Sequence, residues 1–318
     1  MSAKWVLQMA SACLVALGAD NICAQNFPNR PIRIITTEVG SGNDFTARLI
    51  SSALLDGLGQ HVVVDNRGNI AGEIVAKATP DGYTLLSWGS PLWLAPYLRE
   101  KVAYDAVKDF APVTLMATSP NILVVHPSLA VKSVKDLIAL AKVRPGDLNY
   151  SSPGSGGSPH LAAELFKSMA GVKIIHVAYK GMGSAILGVI RGEVQIMFPS
   201  AAAVTPHIKS GRLRALAVTS ARPTALAPGL PTMAVSGLAG YESLGMFGVF
   251  APAGTPAPIV NRLNQEMVRV LNKPDIKQKF FDSGTETVGN TPEEFSAIVK
   301  SDMAKMGKLI KDAGIRAD

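Results

Sequence analysis

The hydrophobic residues of the chain fall into two patterns, short continuous runs and stretches with helical spacing. In the runs, Val, Ile and Leu follow one another with few polar residues between them, which is typical of strands covered on both faces. On this basis the predicted strands are 31–39, 61–65, 83–88, 112–117, 122–125, 148–150, 173–179, 194–198, 213–219 and 246–251.

Between these runs, apolar residues recur at every third or fourth position, as they do on one face of a helix. Phe45, Leu49 and Ala53 have this spacing, and similar stretches begin near residues 133, 161 and 255. Thr291-Pro-Glu-Glu294 is a capping box with proline at the first helical position, so it predicts the start of a C-terminal helix. Strands that alternate with helices predict an α/β fold with largely parallel sheets.

The first 24 residues have the pattern of an export signal. Lys4 precedes an apolar stretch over residues 5–18, and polar residues then lead to the small residue Ala24. The apolar stretch is shorter than the roughly 20 residues that span a bilayer, although a membrane anchor stays open as the alternative. We therefore predict residues 1–24 to be a signal peptide and the mature protein to be exported to the periplasm.

Composition narrows the possible functions. The chain has 318 residues, enough for about two domains. Its formal net charge of +7 comes from scattered Lys and Arg, so nucleic acid is not an expected partner. Both cysteines lie in the predicted signal, which leaves the mature chain without a thiol. Because the five histidines form no HExxH or similar pattern and GxSxG is absent, we expect no metal, no cofactor and no enzyme activity.

Two turns rich in glycine and serine are the candidate binding elements, because each joins a predicted strand to a predicted helix. They span residues 40–44 and 151–160. Glycines let backbone N–H groups face a ligand, hydroxyls add donors, and a helix N-terminus favours negative charge. Ser158 is the predicted N-cap of the second helix, with Pro159 at its first position. The turns predict a site for carboxylates or other small anions; a secreted hydrolase using Ser158 and His160 is the catalytic alternative.

Several motifs occur in the order found in a known family. They include Pro80-Asp-Gly-Tyr-Thr84, Ser158-Pro-His160-Leu-Ala-Ala-Glu-Leu-Phe166, Tyr179-Lys-Gly181, Gly211-Arg-Leu-Arg-Ala-Leu-Ala-Val218 and Phe250-Ala-Pro-Ala-Gly-Thr-Pro256. Over residues 27–318 the chain resembles the Bug family of periplasmic solute-binding proteins, also called the tripartite tricarboxylate transporter receptor family.

The resemblance implies a type II periplasmic-binding-protein fold, in which two α/β lobes with mixed, mainly parallel sheets hold a ligand in the cleft between them. Lobe 1 would comprise residues 25–117 and 246–318, and lobe 2 the inserted residues 118–245. The implied function is a monomeric receptor that closes on a small mono- or dicarboxylate and delivers it to the subunits of a membrane transporter. A sensor that signals to a membrane histidine kinase is the alternative in the same fold.

The resemblance also implies which residues meet the ligand in each lobe. They are Gly40, Ser41, Gly42, Asn43, Asp44, Ala71, Gly72 and Ser90 in lobe 1, and Ser152, Ser155, Gly156, Ser158, His160, Tyr179, Lys180, Gly181, Pro199 and Ser200 in lobe 2. Two positions depart from the family pattern. Pro199 stands where many members have Asp or Asn, and Glu38 places a carboxylate near the first turn, where it would repel a second acid group.

Overall fold

The computed structural model describes residues 27–316, so the predicted signal peptide lies outside the described residues. The strands are β1 (Ile32–Thr36), β2 (Val62–Asn66), β3 (Thr84–Gly89), β4 (Phe110–Pro120), β5 (Ile122–Val125), β6 (Asn149–Ser152), β7 (Ile175–Ala178), β8 (Ile196–Met197), β9 (Arg214–Val218), β10 (Leu244–Pro252) and β11 (Glu286–Thr287). Each strand predicted from the sequence overlaps one of these. The short strand β11 was not predicted, because two residues carry no readable pattern.

The helices are α1 (Gly42–Leu58), α2 (Ala71–Ala76), α3 (Ser90–Leu98), α4 (Val134–Val143), α5 (Ser158–Ala170), α6 (Met182–Ile190), α7 (Ala201–Lys209), α8 (Ala257–Leu271), α9 (Pro274–Asp282) and α10 (Pro292–Asp312). The predicted capping box is confirmed, because Thr291 and Glu294 each bond the other's backbone N–H at the start of α10. The predicted N-cap of α5 is wrong. Gly157 occupies that position, and Ser158 is already the first helical residue.

The strands form two sheets with the same internal arrangement. The first has the order β11-β4-β10-β3-β1-β2 and the second the order β7-β6-β8-β5-β9. In the first sheet β1 to β4 point one way, and β10 and β11 point the other way. In the second sheet only β5 runs against its neighbours. Both sheets are therefore mixed, as predicted. Four strands of each sheet point the same way, but parallel neighbours are not in the majority: the first sheet has two parallel and three antiparallel pairings, and the second has two of each.

Two neighbouring segments carry the chain between the sheets. Strand β4 passes directly into β5 of the second sheet, and β10 brings the chain back. The ends of these strands are paired, with Leu244 opposite Pro120 and Met246 opposite Thr118. We propose that this paired crossing is a hinge and that the two lobes meet here, at the boundaries 117/118 and 245/246.

The hydrophobic core runs without interruption from one sheet to the other. One buried cluster joins Leu86 and Trp93, which lie on the first sheet and its helix α3, to Tyr150 and Phe166 on the second sheet and its helix α5. The described helices, all within residues 27–316, include none that is both long and apolar enough to cross a membrane. The continuous core brings the start of α5 close to the first sheet, and this contact shapes the site described next.

Candidate ligand-binding site

A cavity of about 510 Å³ lies where the two sheets meet. Its walls come from the start of α1, the junction of β3 and α3, the start of α5, the beginning of β10 and one side of α10. Most lining residues are apolar, and the polar ones are Asn43, Ser90, Thr118, Ser158, Glu242, Ser243, Ser301, Asp302 and Lys305. An apolar pocket with a few polar groups is the usual composition of a small-molecule site.

Two polar side chains of this cavity carry buried atoms without a hydrogen-bond partner. These atoms are Ser90 Oγ and Asn43 Oδ1. The Nδ2 atom of Asn43 lies 3.4 Å from Thr37 Oγ1. Because Thr37 can also donate, a turned amide would keep this contact and present its N–H groups to the cavity. Buried polar atoms are normally hydrogen-bonded to protein, water or ligand, so these two atoms are candidate contacts for a polar ligand or an ordered water.

Asp44 holds the first turn in shape and does not line the cavity. Its Oδ2 accepts the Gly40 N–H at 2.9 Å, and its Oδ1 accepts Asn66 Nδ2 at 2.9 Å and Arg48 Nε at 2.8 Å. Burial raises the pKa of Asp44, but these donors outweigh burial and hold the pKa below its usual value. Of the five predicted residues in this turn, Asn43 is the one that reaches the cavity.

Replacement of Asp44 by Ala should lower the free energy of unfolding by about 2 to 3 kcal/mol at pH 7, because three donors lose a charged acceptor. The folded-state pKa of Asp44 is lowered. The stabilisation is therefore present above the unfolded pKa of about 3.9 and lost as the pH falls through the folded pKa. Urea unfolding at pH 7 and at about pH 3 measures both effects.

A matched control for this substitution is Asp56→Ala. The Asp56 side chain is 71% exposed and its ion pair with Lys273 is long, at 3.3 Å, so its removal should change stability by less than about 0.5 kcal/mol. A loss at Asp44 that is equally large at both pH values would contradict the role given to its ionised carboxylate.

The serine-rich turn forms the opposite wall of the cavity. Ser158 Oγ accepts Asn121 Nδ2 at 2.7 Å, which leaves its own hydroxyl hydrogen for another acceptor. His160 Nδ1 accepts the Gly156 N–H at 2.9 Å. Because Ser158 and His160 bond to different partners, they do not form the nucleophile–base pair that the hydrolase alternative requires.

Buried ionisable side chains pack behind this turn. The rings of His160 and His176 are stacked with their centroids 4.1 Å apart. Glu164 accepts the Tyr150 hydroxyl at 2.5 Å and Lys167 Nζ at 2.6 Å. Burial, and after it the neighbouring His176, lowers the pKa of His160 to about 4. His160 is therefore neutral at pH 7, and its 3.9 Å approach to Glu164 is not an ion pair.

Most of the other predicted contacts lie away from the large cavity. Ser155 lines only a second cavity, of about 270 Å³, whereas Gly156 lines both this cavity and the first. The hydroxyl of Tyr179 donates to Glu193 at 3.2 Å, and the Pro199 carbonyl accepts the Ile122 N–H. The predicted residues that line neither cavity are Gly40, Ser41, Gly42, Asp44, Ala71, Gly72, Ser152, His160, Tyr179, Lys180, Gly181, Pro199 and Ser200. Their contact with a ligand stays a prediction.

The sequence did not reveal that α10 lines the large cavity. Lys305 donates to the Glu242 carbonyl at 2.7 Å, and burial lowers the pKa of Lys305. Burial raises the pKa of Asp302, which accepts Trp93 Nε1 at 2.7 Å. The capping box located the start of α10 but carried no signal of what the helix would face. Within residues 27–316, no three His, Cys, Asp or Glu residues come together as metal ligands.

This geometry agrees with a known family of receptors. The sequence profile of the family described as "Tripartite tricarboxylate transporter family receptor" matches residues 46–315. The chain belongs to this family. Among curated relatives, protein BugT of Bordetella pertussis is 33% identical over 305 residues, 94% of either chain. A UPF0065 protein from the tcbD-tcbE intergenic region of Pseudomonas sp. strain P51 is 37% identical over 298 residues, 92% of this chain and 89% of the relative.

Several solved structures share the fold of this chain. An R. palustris protein solved with adipate has a TM-score of 0.77 and 37% identity, and covers 91% of this chain and 99% of its own. The periplasmic binding protein BugD has a TM-score of 0.74 and 29% identity, and the match covers 92% of this chain and 100% of BugD. MatC of Rhodopseudomonas palustris, solved with malate, has a TM-score of 0.73 and 26% identity, and the match covers 89% of this chain and 100% of MatC.

The comparisons confirm the predicted family and the periplasmic-binding-protein fold. Family members are periplasmic solute-binding proteins, and this chain is accordingly a solute-binding receptor and not an enzyme. The hydrolase alternative is thereby set aside on two grounds, the family and the separate hydrogen bonds of Ser158 and His160.

Proposed function

We propose that this receptor captures a small carboxylate in the 510 Å³ cavity and delivers it to a tripartite tricarboxylate-type transporter in the membrane. The observation that carries the proposal is that two side chains lining this cavity, Ser90 and Asn43, each have a buried oxygen without a hydrogen-bond partner. Relatives solved with adipate and with malate support a carboxylate as the ligand. Export through residues 1–24 to the periplasm and action as a monomer are parts of the same proposal.

The cavity supplies donors that suit a carboxylate from both sheets. Ser90 can donate its hydroxyl hydrogen, and Asn43 can donate N–H groups once its amide is turned. From the other side, Ser158 can donate its hydroxyl hydrogen because Asn121 already occupies a lone pair of its oxygen. Leu94 and Leu161 provide apolar walls for a hydrocarbon chain. A ligand held by both sheets would favour the closed form of the hinge.

Adipate or malate should raise the melting temperature of the purified mature protein, since a ligand that binds only the folded state stabilises it by about 2.7 kcal/mol at 100 times its Kd. Ser90→Ala should weaken the binding of that acid by about five- to tenfold in calorimetric titration, because one hydrogen bond to a charged group is lost.

Ser210→Ala is the matched control for Ser90→Ala. Ser210 lies at the exposed end of α7, where its hydroxyl donates to the His207 carbonyl, and its replacement should leave the affinity unchanged. A panel of mono- and dicarboxylates that produces no thermal shift would count against a carboxylate ligand. Equal affinity of Ser90→Ala and the unaltered protein would count against this cavity.

Uptake measurements address the fate of the ligand. Cells that lack this receptor should fail to accumulate the radiolabelled acid, and the gene restored in trans should recover uptake. Uptake that continues without the receptor, together with loss of acid-induced gene expression, would instead support the sensor alternative.

A further inference from the structure

Gly156 is the residue at which the serine-rich turn meets the first sheet's side of the molecule. It lines both cavities. A Cβ atom built on it would lie 2.8 Å from Leu98 Cδ1, and its φ of +78° is in the left-handed region that favours glycine. The orientation of the Gly156 peptide therefore determines the position of the serine-rich turn relative to the two cavities.

His160 fixes that peptide from within the same helix start. Its Nδ1 accepts the Gly156 N–H at 2.9 Å, so the proton of the neutral ring must be on Nε2. Without this acceptor, a buried N–H at the beginning of α5 would lose its partner. His160 is buried and lines neither cavity.

His176 holds the other end of the turn. Its Nε2 lies 2.7 Å from Ser152 Oγ, and Ser152 Oγ donates to the Gly154 carbonyl at 2.9 Å. The ring of His176 is stacked on that of His160 with an interplanar angle of 13°. The two imidazoles thus form one rigid block on β7 and α5 that contacts the turn at two points.

Burial keeps this block neutral, although the neighbouring Glu164 raises the pKa of both histidines. On α5, Glu164 and Lys167 face the rings; on β6, Tyr150 stacks on His176 at 4.8 Å. Burial is the main cause that lowers the pKa of His160, to about 4, and burial also lowers the pKa of His176. Neutral rings keep the lone pair on His160 Nδ1 that the Gly156 N–H requires.

We propose that His160, backed by His176, is a positioning residue that sets the serine-rich turn in its ligand-binding shape and does not itself touch the ligand. This inference rests on the proposed function, because the turn matters only if the cavity binds a solute. Protonation of His160 would put a hydrogen on Nδ1, so that Nδ1 could no longer accept the Gly156 N–H. The hydrogen bond that holds the turn in place would then be lost.

The first experiment needs no ligand. In the ¹⁵N-labelled mature protein, a scalar coupling through the hydrogen bond should connect the Gly156 amide nitrogen to His160 Nδ1. It should persist from pH 7 to about pH 5, a range over which ordinary histidines, with pKa near 6.5, gain a proton. Absence of this coupling, or protonation of His160 Nδ1 by about pH 6, would overturn the assignment.

The second experiment separates positioning from ligand contact, with adipate and malate as probes at pH 7. In His160→Asn, the side-chain oxygen can take the place of Nδ1 as acceptor, so the affinity should stay within about threefold of the unaltered protein. In His160→Leu it should fall about tenfold, because a buried donor loses its partner. His61→Leu, at an exposed site, is the control and should bind normally.

The outcomes distinguish the two proposals. Equal affinity in His160→Leu and the unaltered protein would overturn the positioning role while leaving the proposed function intact. A loss in His160→Asn as large as in His160→Leu would indicate direct ligand contact instead. If the unaltered protein binds neither acid, the proposed carboxylate function is at fault, and the coupling measurement still decides whether His160 holds the turn. Should His160→Leu fail to fold, the coupling and the Asn variant remain decisive.

Discussion

Gly89→Ala will destabilise the protein by about 3 kcal/mol or more, which is at the upper end of the cost of overpacking. Gly89 is the last residue of β3 and pairs with Phe247 of β10. A Cβ atom there would lie 2.0 Å from the Met246 carbonyl oxygen. This oxygen belongs to the backbone of the proposed hinge strand, so it cannot rotate away as a side chain could.

The same substitution should also disturb the cavity, because Gly89 lines it beside Ser90. The midpoint of urea unfolding measures the change in stability. Gly183→Ala in α6 is the matched control, since no atom lies within 4 Å of its Cβ position and its φ is not positive. This control should be neutral or gain up to about 1 kcal/mol from higher helix propensity. A Gly89→Ala protein as stable as the control would show that β3 and β10 are less closely packed than described.

Trp93→Ala will lower the free energy of unfolding by about 3 to 5 kcal/mol, the usual cost of deleting a fully buried aromatic side chain. Trp93 is completely buried. Its ring packs against Phe250 at 6.1 Å and Phe295 at 6.2 Å between centroids. Its Nε1–H also donates to Asp302 Oδ2 at 2.7 Å, so Ala would leave both a void and a buried acceptor without its donor.

Trp93→Phe separates these two causes, because Phe keeps most of the packing and removes the donor. We expect a loss of about 1 to 3 kcal/mol at pH 7. Burial already raises the pKa of Asp302, and removal of the Trp93 donor should raise it further. The deficit of Trp93→Phe should therefore shrink as the pH falls through that pKa and Asp302 gains a proton. A deficit that is independent of pH would contradict this account.

Phe281→Ala is the control for aromatic deletion. Phe281 is 38% exposed at the end of α9, so its removal should cost less than half of what Trp93→Ala costs. Thermal unfolding of the four proteins under one buffer measures the series. Equal losses for Phe281→Ala and Trp93→Ala would show that burial of the Trp93 ring is not what stabilises α3 and α10.

The regular elements were predictable because their signals are local. A buried strand needs a continuous apolar run, and a helix start needs a cap within a few residues, so β5 and the start of α10 follow from the residues that form them. The predicted N-cap at Ser158 failed for a non-local reason. Ser158 Oγ accepts a hydrogen bond of 2.7 Å from Nδ2 of Asn121, which lies 37 positions away in the chain. Gly157 is the N-cap residue instead.

The candidate site was predictable only as a pair of turns. The sequence cannot show which donors of a turn remain available, because this depends on how each side chain folds back. In the first turn the Asp44 carboxylate takes the Gly40 N–H, and in the second turn His160 takes the Gly156 N–H. Asp44 and His160, which the sequence suggested as ligand contacts, thus accept hydrogen bonds from the backbone of their own turns.

The sequence by itself determined ten of the strands, the helices α1, α4, α5, α8 and α10, the two glycine-rich turns and the family. Each of these features depends on residues that are close together in the chain, and their spacing is enough to predict the local structure or the motif. Tertiary structure alone decided what lines the cavity. Trp93 and Asp302 are 209 residues apart, and Lys305 meets Glu242 across 63 residues. Such contacts arise only when β4 and β10 pair and bring α10 against α3, because sequence spacing carries no record of which distant faces will share one core.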